Sequence, residues 1–239
     1  MGFIGTAAVR YYQDQGYAVT GCDVIEDGKV IDYYKVERIN PQYHKVFKEV
    51  SPHICLNASG ASSVPFSFHD PMIDFDLNVI NVIKMLEAAR IESPETSFIN
   101  ISSAAVYGTP SKLPVSEGFE IAAISPYGWH KHQSELLCSE YANIHDLKTC
   151  SMRVFSAYGP GLKKQLFWDL FQKTRAGKTI ELLGTGDESR DYIFVKDLVR
   201  ASEIIAQKSK LKGEVINIAT GIETTIREAA QTFIEALGW

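Results

Sequence analysis

Apolar and polar positions along this chain follow two periods that take turns. Leu77, Ile80, Ile83, Leu86 and Ala89 recur at helical spacing within 71–90, which predicts a long helix with one apolar face. Helical patterns also cover 6–15, 41–50 and 126–142. Between them lie short apolar runs that predict strands: Ala18 to Val24, His53 to Ala58 (bounded by Pro52), Phe98 to Ser102, and Lys148 to Phe155. Strands alternating with helices imply a doubly wound parallel sheet of the α/β class. After about residue 155 the pattern becomes rich in turns, with Tyr158-Gly159-Pro160-Gly161, Leu183-Gly184-Thr185-Gly186-Asp187 and Gly221. No repeat, low-complexity tract or linker is visible. The division expected is a doubly wound unit over 1–155 and a mixed region over 156–239. That region combines a smaller, irregular lobe with elements returning to the first unit.

Composition narrows the function. Of 239 residues, 45% are hydrophobic and 22% charged, and the net charge is -5. No basic stripe suggests nucleic acid or an anionic membrane, and no apolar run reaches the length of a membrane span. No signal segment opens the chain. Cys22, Cys55, Cys138 and Cys150 form no C-x-x-C; Cys22 and Cys55 lie in strand-like runs and read as reduced core residues of a cytoplasmic protein. His130 and His132 stand two apart, on different faces of a helix, so no metal is expected. Trp168 could stack on a base, although an aromatic run such as 166–171 more often belongs to a core.

Tyr127 and Lys131 carry the clearest chemical signal. Four residues apart on a helix, they share a face. A lysine ammonium beside a phenol favours the phenolate, which would make Tyr127 a base near neutral pH. Ser103, at the end of a strand, could hold the reacting oxygen. The plain alternative is a surface tyrosine and a solvated lysine. At the start, Gly2 and Gly5 precede a helix as the last two glycines of a phosphate-binding turn do, leaving bare backbone N–H groups for an anion. A flexible start is the alternative. Asp23 ends the next strand, where a carboxylate can accept ribose hydroxyls and repel a 2′-phosphate, favouring NAD over NADP.

These pieces together resemble the extended short-chain dehydrogenase/reductase family, the NAD-dependent sugar-nucleotide epimerases and dehydratases. The markers run in order along almost the whole chain: Gly2-Phe3-Ile4-Gly5, Asp23, Asn57-Ala58-Ser59, Asn78, Ser102 to Gly108, Tyr127 to Lys131, Arg153-Val154-Phe155, Tyr158 to Gly161, and Arg190 to Asp197. The resemblance implies a Rossmann fold, NAD as cofactor and a nucleotide-sugar substrate. Ser103, Tyr127 and Lys131 would be catalytic, with Ser103 and Tyr127 also touching substrate. Gly2, Phe3, Ile4, Gly5 and Asp23 would hold the cofactor together with Asn57, Ala58, Ser59, Asn78, Tyr127, Lys131, Val154 and Phe155. Arg190 and Ser156 would meet the substrate diphosphate, although the family often has Asn where Ser156 stands. By itself, Arg190 reads as a salt bridge to Asp187, Glu188 or Asp191. The first strand and first glycine of the family pattern are absent, and relatives usually continue past Trp239, so the chain reads as a member shortened at both ends. A homodimer through helices around 78–90 and 127–142 is implied. The expected reaction is epimerisation through a transient keto sugar, with a keto-sugar reductase or a non-catalytic relative as alternatives. Dehydration is not expected, because Ala104 and Ala105 stand where dehydratases of the family carry an Asp-Glu pair.

Overall fold

The computed structural model describes residues 1–26, 32–177, 180–182 and 184–238, so Leu183 and Trp239 lie outside the described residues. Helix α1 (Phe3–Asp14) begins directly after Gly2, earlier than the expected residue 6. Strands β1 (Thr20–Asp23) and β2 (Asp32–Lys35) pair in parallel; β2 had no counterpart in the sequence pattern. Then come α2 (Tyr43–Val50), β3 (Ile54–Asn57), α3 (Val64–His69), α4 (Pro71–Phe75), a π-helical turn Asp76–Ile80, α5 (Asn81–Glu92) and β4 (Ser97–Ser103). A 3-10 turn, Ala104–Tyr107, leads toward α6 (Pro126–His145) and β5 (Thr149–Val154).

The later region comprises β6 (Ser156–Tyr158), α7 (Gln165–Arg175), β7 (Ser189–Arg190), β8 (Tyr192–Phe194), α8 (Val195–Lys208), β9 (Lys212–Ile218), β10 (Thr224–Thr225) and α9 (Ile226–Ala236). Strand β9 returns to the main sheet, whose order is β3-β4-β5-β9 with every pairing parallel. The small pairs β6-β8 and β7-β10 lie apart from it. Phe167 on α7 bridges them to α9, with ring centroids 5.2 Å from Tyr192 and 5.3 Å from Phe233.

The π turn corrects the expected single helix over 71–90. One extra residue in that turn rotates the remainder of the helix about its axis. The stripe that enters the core is therefore Val79, Val82, Met85, Leu86 and Ala89, while Leu77, Ile80 and Ile83 are only partly buried. Asp74 and Asn78 are buried along the same stretch.

The two faces of the sheet differ in kind. On one face Ile99 and Ile101 of β4 and Cys150, Met152 and Val154 of β5 pack against α1 and α8 through Ala8, Tyr12, Leu198 and Val199. Strand periodicity sends alternate residues to the other face. There Asn100, Ser102, Ser151 and Arg153 lie buried, and α6 covers them with Ser134 and Glu135. An apolar seam formed by Phe47, Val82, Leu86, Phe98, Cys138 and Tyr141 closes that side farther along.

Strands β1 and β3 are not paired with each other. A cavity of about 910 Å³ separates them. Cys22 and Cys55 line it, and Cys22 is exposed, which corrects the expectation that both are core residues; Cys138 and Cys150 are the buried cysteines.

Candidate active site

Strand β4 and helix α6 bring Ser103, Tyr127 and Lys131 together. Ser125 caps α6 by accepting the N–H of Gly128 at 3.1 Å, and Pro126 occupies the first turn. Tyr127 therefore sits in the turn nearest the end of β4. Gly128 makes the approach possible: a Cβ there would stand 2.6 Å from the carbonyl oxygen of Ala105 and 2.9 Å from the Ala123 methyl. Ser103 ends β4 and accepts the Ala105 N–H at 3.1 Å, which caps the 3-10 turn. Its neighbour Ser102 points elsewhere, donating to Glu135 at 2.5 Å.

Lys131 is buried, and its ammonium donates to the Ile101 carbonyl at 2.9 Å, pinning α6 to β4. It lies 6.0 Å from the centroid of the Tyr127 ring. Burial pushes the Lys131 ammonium down to about 8, with Asp74 and Glu135 acting the other way. Tyr127 moves opposite to expectation. Burial raises its phenol above the ordinary value; the Ser103 hydrogen bond lowers it and Asp74 raises it. Burial, rather than Lys131, is the larger influence on the Tyr127 hydroxyl.

A line of hydrogen bonds runs from this triad to the cleft above β3. Lys131 offers its carbonyl to Ser134 at 2.7 Å, Ser134 accepts from Asn100 at 3.0 Å, and Asn100 accepts from Asn57 at 3.0 Å. Asn57 in turn accepts both the N–H and the hydroxyl of Ser59, at 3.1 and 2.6 Å. Ala58 and Ile4 both pack against the apolar core, and Val154 lies within it. Phe155 follows at the end of β5, its N–H on the Ile218 carbonyl at 3.2 Å.

Of the residues expected to hold a dinucleotide, Gly2, Gly5, Asp23, Asn57, Ala58 and Ser59 line one cavity. Gly2 is the N-cap of α1; the cap lacks a side-chain hydrogen bond and the first turn lacks an acid. A Cβ added at Gly2 would meet nothing within 4 Å. The exposed N–H groups of that helix end suit an anion. Asp23 stands beside them, with Oδ1 accepting the Val24 N–H at 2.7 Å and Oδ2 3.8 Å from the Met1 ammonium. Asn78 is almost fully buried under Gly60, and neither of its side-chain polar atoms has a partner among the described residues. A buried amide without partners is costly. The open helix end and the Asn78 amide both fit a polar, phosphate-bearing ligand.

Arg190 and Ser156 lie on the other side, in the small lobe. Arg190 is exposed on β7 and donates to the Ser189 carbonyl at 2.7 Å. The carboxylates next to it in sequence are engaged elsewhere. Asp187 pairs with Arg227 at 3.2 Å, Glu188 accepts the N–H groups of Thr185 and Gly186, and Asp191 accepts those of Thr220 and Gly221. Ser156 uses its N–H on the Asp191 carbonyl. Among the described residues no three potential metal ligands gather. His130 pairs with Asp74 at 2.6 Å and His132 with Glu135 at 3.2 Å.

Sequence reasoning did not find Gly128, Asp74 or Glu135. Glu135 had a usable signal, since it stands four residues beyond Lys131 on the same helical face. Gly128 and Asp74 matter through contacts distant in sequence.

Comparison with known proteins agrees with this geometry. The UDP-glucose 4-epimerase of Mycolicibacterium smegmatis is 28% identical over 252 aligned residues, covering 99% of this chain and 80% of that protein. The putative UDP-glucose 4-epimerase of Methanocaldococcus jannaschii is 27% identical, covering 100% and 80%. The Thermotoga maritima UDP-glucose 4-epimerase solved with UDP-glucose superposes with a TM-score of 0.90 at 26% identity, covering 100% of this chain and 80% of that one. The profile of the NAD dependent epimerase/dehydratase family matches residues 1–219. With its parallel Rossmann sheet and its Tyr127–Lys131 helix beside Ser103, the chain belongs to the NAD dependent epimerase/dehydratase family.

Proposed function

We propose that this chain is an NAD-dependent sugar-nucleotide epimerase acting at C4 of the sugar. The observation that carries the reading is the meeting of Ser103, Tyr127 and buried Lys131 at the end of β4, joined by hydrogen bonds to the loop Asn57-Ala58-Ser59. Gly2 to Gly5 would take the cofactor diphosphate, Asp23 the adenosine ribose, and Asn78 a polar edge of the ligand. NAD, when bound, would supply hydride exchange and a positive ring charge.

The chain's own residues then have defined tasks. The Ser103 hydroxyl holds the sugar oxygen that reacts. Tyr127, as phenolate, takes the proton from that oxygen and gives it back after the keto sugar has turned over. Lys131 stabilises the phenolate and fixes its distance from β4. Arg190 faces the substrate diphosphate, where a guanidinium can make paired bonds to phosphate oxygens. UDP-sugars are the first substrates to test, since the Mycolicibacterium smegmatis and Thermotoga maritima relatives are UDP-glucose 4-epimerases.

Dehydration lacks its acid and base. Ala104 and Ala105 carry methyl groups, and the nearby Glu117 carboxylate accepts the Asn217 N–H at 2.9 Å. A second copy of the chain, meeting it through the helices around 78–90 and 127–142, would cover the exposed apolar side chains Trp129 and Leu136 of α6. All four cysteines are free thiols, which suits the reducing cytoplasm.

The test is incubation of the protein with UDP-galactose and catalytic NAD, with NMR of the sugar anomeric signals. UDP-glucose should form with no net change in NAD. Stoichiometric oxidation of NADH with a keto-sugar substrate, and no epimer, would replace the epimerase by a reductase. NAD binding with no turnover of any kind would leave a non-catalytic relative.

A further inference from the structure

The side of α6 that carries Tyr127 and Lys131 carries a third titratable group. His130 stands three residues beyond Tyr127 and next to Lys131, so the three share one side of the helix. Asp74 of α4 meets that side, with Oδ2 2.6 Å from His130 Nδ1. Phe75 holds the imidazole edge to face, the ring centroids 5.2 Å apart. The short α4 is itself fixed by Pro71 and by Asp70, which accepts the Ile73 N–H at 3.0 Å.

Two opposite charges here are short of partners. Asp74 is fully buried, and its Oδ1 has no hydrogen-bond partner among the described residues. Lys131 is buried too; among the described residues its ammonium has the Ile101 carbonyl as partner and no carboxylate in contact. A charge in an interior is costly unless balanced, and there charges act on one another more strongly than in water. The other charged groups around this side are committed elsewhere. Glu135 of α6 gives both oxygens to Arg153 of β5, and Ser102 of β4 and His132 add to the same carboxylate. Burial pushes the Cys138 thiol up to about 12, so it stays neutral. Tyr107 is held by Arg153 and Asn217, Glu87 of α5 is paired with Arg90, and Glu214 of β9 accepts backbone N–H groups. His69 of α3 and Asp76 of the π turn are exposed. Asp74 is left as the uncommitted negative charge facing Tyr127 and Lys131.

We propose that Asp74, held in place by His130, is the counter-charge of the catalytic helix: a positioning residue that keeps the Lys131 ammonium charged inside the fold and disfavours the Tyr127 phenolate. The directions agree. Burial lowers the Lys131 ammonium and raises the Tyr127 phenol, and Asp74 raises both. One carboxylate therefore supports the lysine and opposes the ionised tyrosine. The Tyr127 half rests on the function proposed above; the Lys131 half does not.

Lys131 reports the charge directly. Its titration midpoint is read in the protein alone from the Cε NMR signal that Lys131→Met lacks. The parent is compared with Asp74→Asn, Asp74→Ser and His130→Gln, and urea melts identify the folded variants. Without the Asp74 charge, a neutral lysine and an ionised phenol are both favoured, so both groups give up their protons at lower pH. The Lys131 midpoint should fall by about one pH unit in the neutral Asp74 variants, the low end of what a nearby opposite charge does. His130→Gln keeps the carboxylate and a donor for it, and should leave the midpoint nearly in place. An unmoved midpoint in a folded Asp74 variant overturns the proposal. An equal fall in His130→Gln does so too, as does failure of both neutral variants to fold, which would make Asp74 a packing residue. The pH profile of UDP-galactose turnover then tests the Tyr127 half: in Asp74→Asn both limbs should move to lower pH, with kcat altered more than KM. Limbs that stay in place in an active variant overturn that half. A parent without epimerase turnover refutes the function proposed above and leaves the Lys131 titration standing.

Discussion

Glu135 grips Arg153 with both carboxylate oxygens, at 2.9 and 2.8 Å, one helical turn beyond Lys131. The pair is buried, and it gathers Ser102, Tyr107 and the Glu117 carbonyl around it. The helix that carries Tyr127 and Lys131 is thereby bolted to β4, β5 and the segment before α6. Removing one partner leaves the other charge buried. Glu135→Gln should therefore cost about 3–5 kcal/mol in urea unfolding, and replacing Glu135 and Arg153 together by apolar residues should cost less than the sum of the single changes. Additive costs would mean that the two do not act as a unit.

Gly128→Ala places a methyl 2.6 Å from the Ala105 carbonyl oxygen, which is backbone and cannot step aside. The first turn of α6 must lift from the 3-10 turn. A loss of about 1–3 kcal/mol is expected, the usual range for overpacking, with a larger proportional loss of turnover because Tyr127 moves away from Ser103. Parallel urea melts and activity assays check this. Turnover equal to that of the parent would show that the close approach does not position Tyr127.

Tyr127→Phe removes one hydroxyl from a half-buried ring. Turnover should fall by about a hundredfold or more, the usual scale for a lost acid–base group, while the urea midpoint and NAD affinity change little. Turnover close to that of the parent would exclude Tyr127 as the base.

Lys131 gives a pH signature. Its folded value is about 8, against an ordinary 10.5. Between those values the unfolded chain binds more protons, so this group makes stability rise with pH across that window. Relative to Lys131→Met, the parent should gain up to about 3 kcal/mol between pH 8 and 10.5. Urea midpoints of both proteins at several pH values give the difference. A flat difference would mean that Lys131 is not desolvated.

Asp23→Asn should keep the turn, since its side-chain oxygen can still accept the Val24 N–H, while removing the charge that opposes a 2′-phosphate. The preference for NAD over NADP should narrow. Calorimetric titration with both cofactors measures it, and an unchanged ratio would assign the discrimination to another residue.

The parallel order, the long helices and the meeting of Ser103 with Tyr127 and Lys131 were legible because each is written in local spacing or in motif order. Strand β2 was not, since Asp32 to Lys35 offers only four residues and pairs at the open side of the sheet. The π turn was invisible in the spacing: Leu86 and Ala89 of the expected stripe are buried, while Val79, Val82 and Met85 enter the core in place of Leu77, Ile80 and Ile83. The direction of the Tyr127 shift was missed for a related reason. Spacing places Lys131 near the ring but says nothing of burial, and burial is the larger effect.

The polar face under α6 sets how this protein can vary. Beneath α1 and α8, each side chain answers mainly to shape, so Ile for Val or Met for Leu is judged alone. Beneath α6, Asn100, Ser102, Ser134, Glu135 and Arg153 answer to one another. A single apolar replacement there strands a donor or an acceptor, whereas replacing partners together does not. Drift on that face must therefore proceed in linked sets. A combinatorial library over those positions should return its folded members as a few mutually exclusive combinations, while a library under α1 and α8 returns a broad, nearly independent mixture.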